Sequence, residues 1–149
     1  MKIKRIEHIA IAVKSIAAMR EIFEQKLGIA VEYEEYLPRH STRLAMLPVG
    51  QTYLELLESD NADSGTSRWI AEHGEGLFHF CLEVEDIDAA MAELRQKGVG
   101  FQQEKPVIGH GNCRIVFLDP RSTGDLVIEL AELPKDAHAH GAAAQRAAG

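Results

Sequence analysis

The alternation of apolar and polar residues along the chain follows the same plan twice. Residues 6–13 read IEHIAIAV and residues 77–84 read LFHFCLEV, and period-two runs of this kind predict β-strands. Each run is followed by a polar residue suited to begin a helix, Ser15 or Asp86, then by apolar residues at helical spacing and by a glycine. The chain is therefore predicted to contain two copies of one module.

Each copy continues with three further predicted strands, which gives the module the order βαβββ and the chain an α+β fold class. These strands are expected near residues 30–36, 42–48 and 52–58, and again near 99–103, 113–118 and 125–132. We expect one domain over residues 1–133, with modules at about 3–58 and 76–133 and a linker with a short helix at 59–75. Residues 134–149 have no apolar period and are predicted to be a disordered tail.

Composition narrows the function classes. Of the 149 residues, 46% are hydrophobic and 26% charged, which is typical of a globular protein, and the net charge of -7 disfavours a nucleic-acid binder. No apolar run approaches the roughly 20 residues of a membrane-spanning helix. The N-terminus also lacks the apolar core of a signal peptide. We expect a cytoplasmic protein with a small-molecule partner, and neither a nucleic-acid nor a membrane partner.

The alternation also predicts which side chains share a face of each strand. In both copies the wholly apolar face, which includes Phe78 in the second copy, is expected to pack under the helices. The opposite face carries a histidine, His8 or His79, beside a small residue, Ala10 or Cys81. Small neighbours leave room for a ligand on that face.

One acid lies inside the last strand of each module, Glu55 in the first and Glu129 in the second. A buried carboxylate is costly unless it is paired or bound to a metal. Together with His8 and His79, these acids predict one metal site of two imidazoles and two carboxylates. Such ligands suit a divalent ion such as Co²⁺, Ni²⁺, Mn²⁺, Fe²⁺ or Zn²⁺. Three further histidines lack partners at ligand spacing and are predicted to lie outside the site: His40, His73 and His110.

Over roughly residues 3–133 the chain resembles the vicinal oxygen chelate superfamily, and within it the methylmalonyl-CoA epimerase family. The most specific likeness is the turn FLDPRSTG at residues 117–124, and GEGLFH at 74–79 is similar as well. The resemblance implies paired βαβββ modules that form a cupped mixed sheet around the metal, with Co²⁺ as the first candidate ion. It also implies a homodimer, in which the two modules complete a site within one chain or exchange between chains.

The resemblance implies an isomerase that epimerises methylmalonyl-CoA between its 2R and 2S forms. A base removes the proton at C2 while the metal stabilises the enolate, and Glu129 is the expected catalytic base. Some family members carry a second base on the third strand, where this chain has Leu44, which cannot carry a proton. Glu34 and Glu35 are the alternatives that the sequence offers nearby.

Two arginines, Arg43 and Arg121, are predicted to bind the substrate. A guanidinium group recognises carboxylates and phosphates, and an acyl-CoA with a malonyl group would offer both.

Other functions fit parts of the pattern. Another metalloenzyme of the superfamily is one of them, although an extradiol dioxygenase would need only two histidines and one carboxylate and would leave Glu55 as a surplus ligand. A glyoxalase-I-type lactoylglutathione lyase uses a similar His/Glu/His/Glu set and needs the same metal, but the turn at 117–124 disfavours it. A metal-free ligand-binding or resistance protein of the same fold would line its cup with aromatic residues. Aromatic residues are only 6% of this chain, and all four ligands are present, so this reading ranks last.

Overall fold

The computed structural model describes residues 1–136, in which eight strands form one curled mixed sheet. The strands are β1 (Ile3–Ala12), β2 (Tyr33–Leu37), β3 (Thr42–Val49), β4 (Thr52–Ser59), β5 (Gly76–Val84), β6 (Val107–Ile108), β7 (Arg114–Phe117) and β8 (Ile128–Glu132). Residues 137–149 of the predicted tail lie outside the described residues. Within residues 1–136, no helix is long and apolar enough to cross a membrane.

The order of strands in the sheet is β2-β3-β4-β1-β5-β8-β7-β6. Each module has a parallel pair at its inner edge, β1 with β4 and β5 with β8, and the two modules meet in the antiparallel pair of β1 and β5. The two halves of the sheet are therefore related by a pseudo-twofold axis between β1 and β5. The predicted α+β fold of two βαβββ modules is confirmed.

Three α-helices connect the strands in residues 1–136, and the first and third begin after the predicted capping residues, Ser15 and Asp86. They are α1 (Ile16–Arg20), which continues as a wider π-helical turn over Glu21–Lys26, α2 (Gly65–His73) and α3 (Ile87–Gln96). Ser15 accepts a hydrogen bond from the amide of Ala18, and Asp86 accepts one from the amide of Ala89. These caps satisfy amides that the first turn leaves without partners.

Packing separates the two faces of the sheet. The convex face packs under α1 and α3 in two apolar clusters, one around Ile16 and Leu56 and one around Ile87 and Leu130. The concave face, which we call the cup, carries smaller clusters that include Ala10 and Cys81. As predicted, each small residue lies in the cup.

Two sequence predictions about the strands are wrong. Residues 99–103 form no strand, because only Phe101 makes a single bridge, to Leu118, and the edge strand β6 lies later in the chain. Phe78 does not pack under the helices. In the pairing of β1 with β5, Ala10 lies opposite His79 and Ile11 lies opposite Leu77, so Phe78 is an extra residue without a partner on β1. Such a bulge reverses the alternation locally, so Phe78 packs on the cup side.

Candidate metal centre

The four sequence-predicted ligands lie on the four central strands, β1, β4, β5 and β8. Ala10 on β1 is paired with Glu55 on one side and with His79 on the other. Cys81 on β5 is paired in the same way with Glu129 and with His8. Each small residue is thus flanked by one imidazole and one carboxylate, and these four side chains converge on the space above the two small residues.

The ligand atoms of these side chains lie close to one another. The Nε2 atom of His8 is 3.3 Å from Nε2 of His79, 3.4 Å from Oε1 of Glu55 and 3.4 Å from Oε1 of Glu129. Nε2 of His79 is 3.8 Å from Oε2 of Glu129. All four residues are buried, with 0 to 7% of their surface exposed.

This donor set fits a divalent cation. Metal bonds of about 2.1 Å place neighbouring ligand atoms about 3 to 3.5 Å apart, close to the distances around His8 Nε2. Among the described residues, Oε1 of Glu129 and Nδ1 of His79 are buried and make no hydrogen bond. Because Glu129 Oε1 faces His8, a cation between the donor atoms would satisfy an oxygen that the protein leaves without a donor.

Burial and charge set the protonation of the cluster. Burial lowers the pKa of His79 well below the usual histidine range, and the nearby His8 and His110 lower it further. Burial also raises the pKa of Glu129, to about 6, although the charge of His8 opposes that rise. A neutral imidazole is the form that binds metals, and a carboxylate that titrates near neutral pH is suited to proton transfer.

Sequence reasoning missed two members of the cluster, Glu7 and His110, and the prediction that His110 lacks partners is wrong. A register shift at Glu7 turns its carboxylate toward the cup, where it contacts Nδ1 of His8. His110 Nε2 lies 3.1 Å from Oε2 of Glu7, and its Nδ1 lies 3.8 Å from Oε2 of Glu55. The cluster therefore contains three buried carboxylates and three histidines.

The loop that carries His110 approaches the sheet closely at Gly109. A Cβ atom at Gly109 would lie 2.7 Å from Cδ1 and 3.0 Å from Cγ2 of the buried Ile115. We expect Gly109→Ala to lower the free energy of unfolding by about 1 to 3 kcal/mol, the usual cost of overpacking. Urea denaturation measures this change. Gly65→Ala, where the added Cβ meets open space, is the matched control, and equal stability of the two variants would contradict the prediction.

A cavity of about 600 Å³ opens above the cluster. Glu55, His79 and Glu129 lie at its floor, and its wall includes aliphatic and aromatic side chains such as Leu44 and Phe78. Cationic and polar groups also line it: Arg39, His40, Ser64 and Arg68. Two acids, Asp63 and Glu72, line it as well. The cavity can thus hold a small polar group against the cluster and a longer portion of a ligand beyond it.

The predicted substrate-binding arginines lie elsewhere. Arg43 stacks over the ring of Tyr36, with 6.0 Å between its guanidinium carbon and the ring centroid. Arg121 is paired with Asp119, and its side chain is 89% exposed. Neither lines the cavity, and their role in binding substrate stays a prediction.

Leu44 is fully buried on the cup side and lines the cavity. The two acids that could take the place of a base at Leu44 do not line the cavity. Glu34 pairs with Arg20, and Glu35 accepts a hydrogen bond from the amide of Gly111. In this conformation neither glutamate is therefore placed to act as a base in the cavity in place of Leu44.

Comparison with known proteins places the chain in a family. The family model of the glyoxalase/bleomycin resistance protein/dioxygenase superfamily matches residues 7–117. Human mitochondrial methylmalonyl-CoA epimerase is 30% identical over 127 residues, which span 85% of this chain and 72% of the human protein. The ethylmalonyl-CoA/methylmalonyl-CoA epimerase of Cereibacter sphaeroides is 29% identical over 133 residues, 88% of this chain and 99% of the relative.

A solved structure agrees with these relatives. It is a glutamate-to-leucine variant of Streptomyces coelicolor methylmalonyl-CoA epimerase in complex with 2-nitronate-propionyl-CoA. That structure superposes with a TM-score of 0.86 at 34% identity, over 90% of this chain and 97% of the other. The chain therefore belongs to the glyoxalase/bleomycin resistance protein/dioxygenase superfamily, also called the vicinal oxygen chelate superfamily, and is similar within it to the methylmalonyl-CoA epimerases.

Proposed function

We propose that the protein is a metal-dependent methylmalonyl-CoA epimerase, an isomerase that interconverts the 2R and 2S forms of its acyl-CoA substrate. The observation that carries the proposal is the buried cluster of His8, Glu55, His79 and Glu129, of which the last three line the cavity. The named relatives add the substrate class, because they act on methylmalonyl-CoA and, in one case, also on ethylmalonyl-CoA.

We propose His8, Glu55, His79 and Glu129 as the residues that hold a divalent cation, with Co²⁺ as the first candidate. When bound there, the cation would supply a Lewis acid beside the thioester oxygen, where negative charge develops as the C2 proton leaves. The chain's own contribution is a dry, charged floor, since these residues are almost completely buried. Low local dielectric strengthens each of these charge interactions.

Glu129 is the proposed catalytic base. Its carboxylate lines the cavity in which a substrate would lie and is almost completely shielded from bulk water. Burial raises its pKa to about 6, so the carboxylate can both accept a proton and release it near neutral pH. Glu129 would take the C2 proton and return it, or pass it on, when the enolate is protonated again.

Aliphatic and aromatic side chains would hold the rest of the acyl group. Leu44, Leu57 and Phe78 line the cavity beside the cluster and suit the methyl group at C2. Because Leu44 carries no proton, inversion requires a proton to reach the opposite face of C2 from another group or from water. Hydrogen exchange measured separately from inversion is therefore the informative experiment.

The test follows exchange at C2 of methylmalonyl-CoA in D₂O by mass spectrometry, with Co²⁺-loaded protein. Inversion is followed in parallel with a coupled mutase specific for the 2R form. Exchange together with inversion is the expected result. Exchange without inversion would show a competent base in an enzyme that is not an epimerase, and neither reaction in metal-loaded protein would contradict the proposal.

One observation favours a second candidate, a glyoxalase-I-type lyase. The buried Leu44 leaves no second base on β3, and the four-ligand set is equally suited to an enediolate. Turnover of the hemithioacetal of glutathione and methylglyoxal, with no exchange in methylmalonyl-CoA, would replace the first proposal with this one.

A homodimer and a cytoplasmic location remain part of the proposed epimerase function. Light scattering of the purified protein tests the dimer.

A further inference from the structure

Two buried residues outside the four-ligand set connect two of its members. A Glu7 carboxylate oxygen contacts Nδ1 of His8 and lies 3.1 Å from Nε2 of His110. The other ring nitrogen of His110 lies 3.8 Å from Oε2 of Glu55. Glu7 and His110, which we call the bracing pair, thus join β1 and the loop before β7 to β4.

Local backbone features bring the bracing pair into the cup. The bulge at Glu7 places its side chain on the same side as that of His8. His110 lies in a short 3₁₀ turn between Gly109 and Gly111, and Gly111 has a φ of 56°, which glycine adopts without strain. The Gly111 amide donates to Glu35 of β2 over 2.8 Å, so the opposite edge of the sheet fixes this turn.

The directions of the ring nitrogens separate the bracing pair from the ligands. His8 directs Nδ1 to Glu7 and keeps Nε2 facing His79, Glu55 and Glu129. A carboxylate only accepts, so Nδ1 of His8 is the donor and its Nε2 lone pair faces the cluster. Both ring nitrogens of His110, in contrast, face carboxylates.

We propose that Glu7 and His110 are positioning residues of the metal centre. Glu7 fixes the tautomer and ring orientation of His8, and His110, held by Glu7, fixes the direction of the Glu55 carboxylate. The inference rests on the proposed metal-dependent function and deepens it, because it assigns a role to two residues outside the ligand set. Partners of this kind raise the basicity of a ligand and reduce its freedom.

The second module has no equivalent of Glu7. Phe78 occupies the matching place before His79, and among the described residues Nδ1 of His79 makes no hydrogen bond. Rings hold His79 instead, with Phe78 at 4.8 Å and Phe117 at 5.0 Å between centroids. The support of the two histidine ligands is therefore unequal, because a carboxylate contacts the ring of His8 whereas aromatic rings contact that of His79.

The experiment measures Co²⁺ affinity by chelator competition in purified full-length Glu7→Leu, Glu7→Gln and His110→Gln. We expect Glu7→Leu and His110→Gln to weaken Co²⁺ binding about 10- to 100-fold, the usual effect of losing a partner of a ligand. Glu7→Gln is expected to fall between Glu7→Leu and the parent, because its amide oxygen can still accept from His8. The visible absorption of bound Co²⁺ is expected to shift in Glu7→Leu, since the spectrum reports ligand geometry.

Glu83→Gln is the matched control, because Glu83 is also buried but pairs with Arg5 away from the cluster. It is expected to bind Co²⁺ as the parent does. Should Glu7→Leu fail to fold, Glu7→Gln and His110→Gln carry the test. Parental affinity and spectrum in those variants, in a parent that binds one Co²⁺, would overturn this inference alone. A parent that binds no metal would overturn both this inference and the metal in the proposed function.

Discussion

Glu129→Gln is expected to lower kcat for epimerisation by about 10³-fold, within the range for loss of a general base. The amide keeps the size of the side chain but cannot accept the C2 proton. Glu129 lies at the floor of the cavity, is 4% exposed and has a pKa raised by burial. Bulk water is therefore a poor substitute for it as proton acceptor. The measurement is the initial rate of inversion, together with C2 exchange in D₂O.

Glu132→Gln is the control for this variant, because Glu132 lies on the same strand but contacts Arg114 and the amide of Ile87 outside the cup. We expect it to retain parental turnover. An amide oxygen can still contact a cation, so metal content is measured in Glu129→Gln as well. Turnover near that of the parent in metal-loaded Glu129→Gln would remove Glu129 from the role of base.

His79→Ala is expected to abolish stable metal binding, with a loss of affinity of at least the about 100-fold that loss of a ligand's partner can cause, and with it nearly all turnover. His79 supplies a neutral imidazole, since burial and the neighbouring histidines lower its pKa. Its Nε2 atom lies 3.3 Å from that of His8, and the truncated side chain would leave the donor set without its second imidazole. Metal per chain after dialysis, measured by atomic emission, is the direct readout.

His73→Ala is the matched histidine variant, because His73 lies exposed at the end of α2 and stacks on Trp69. It is expected to retain one metal per chain. If His79→Ala also retained one metal per chain, His79 would be excluded as a ligand, and the cluster of His8, His110 and Glu129 would become the leading alternative donor set.

Strand periodicity was sufficient to place the central residues of the cup. His8, Glu55, His79 and Glu129 were predicted to share one face, because side chains alternate with period two and both modules repeat the same order. The structure brings these four together. The helix starts at Ser15 and Asp86 were predictable for a similar reason, since a cap depends only on residues a few positions apart.

The residues that sequence reasoning misplaced depend on bulges and on contacts between distant segments. The bulges at Glu7 in β1 and at Phe78 in β5 reverse the alternation locally, so these two residues face the cup although their positions predict the opposite side. His110 reaches Glu7 only because the curled sheet brings the loop after β6 against β2. The two glycines that flank His110 were the only local signal that this backbone approaches another segment.

The distribution of the donor residues along the chain has a consequence for biosynthesis. His8 emerges from the ribosome early, His79 follows seventy-one positions later, and Glu129 lies on the last strand of the sheet. The first module alone carries two of the four proposed donors, His8 and Glu55, so a partly synthesised chain lacks the complete set. The full donor set that we propose for the ion therefore exists only after β8 has been made and has paired with β5.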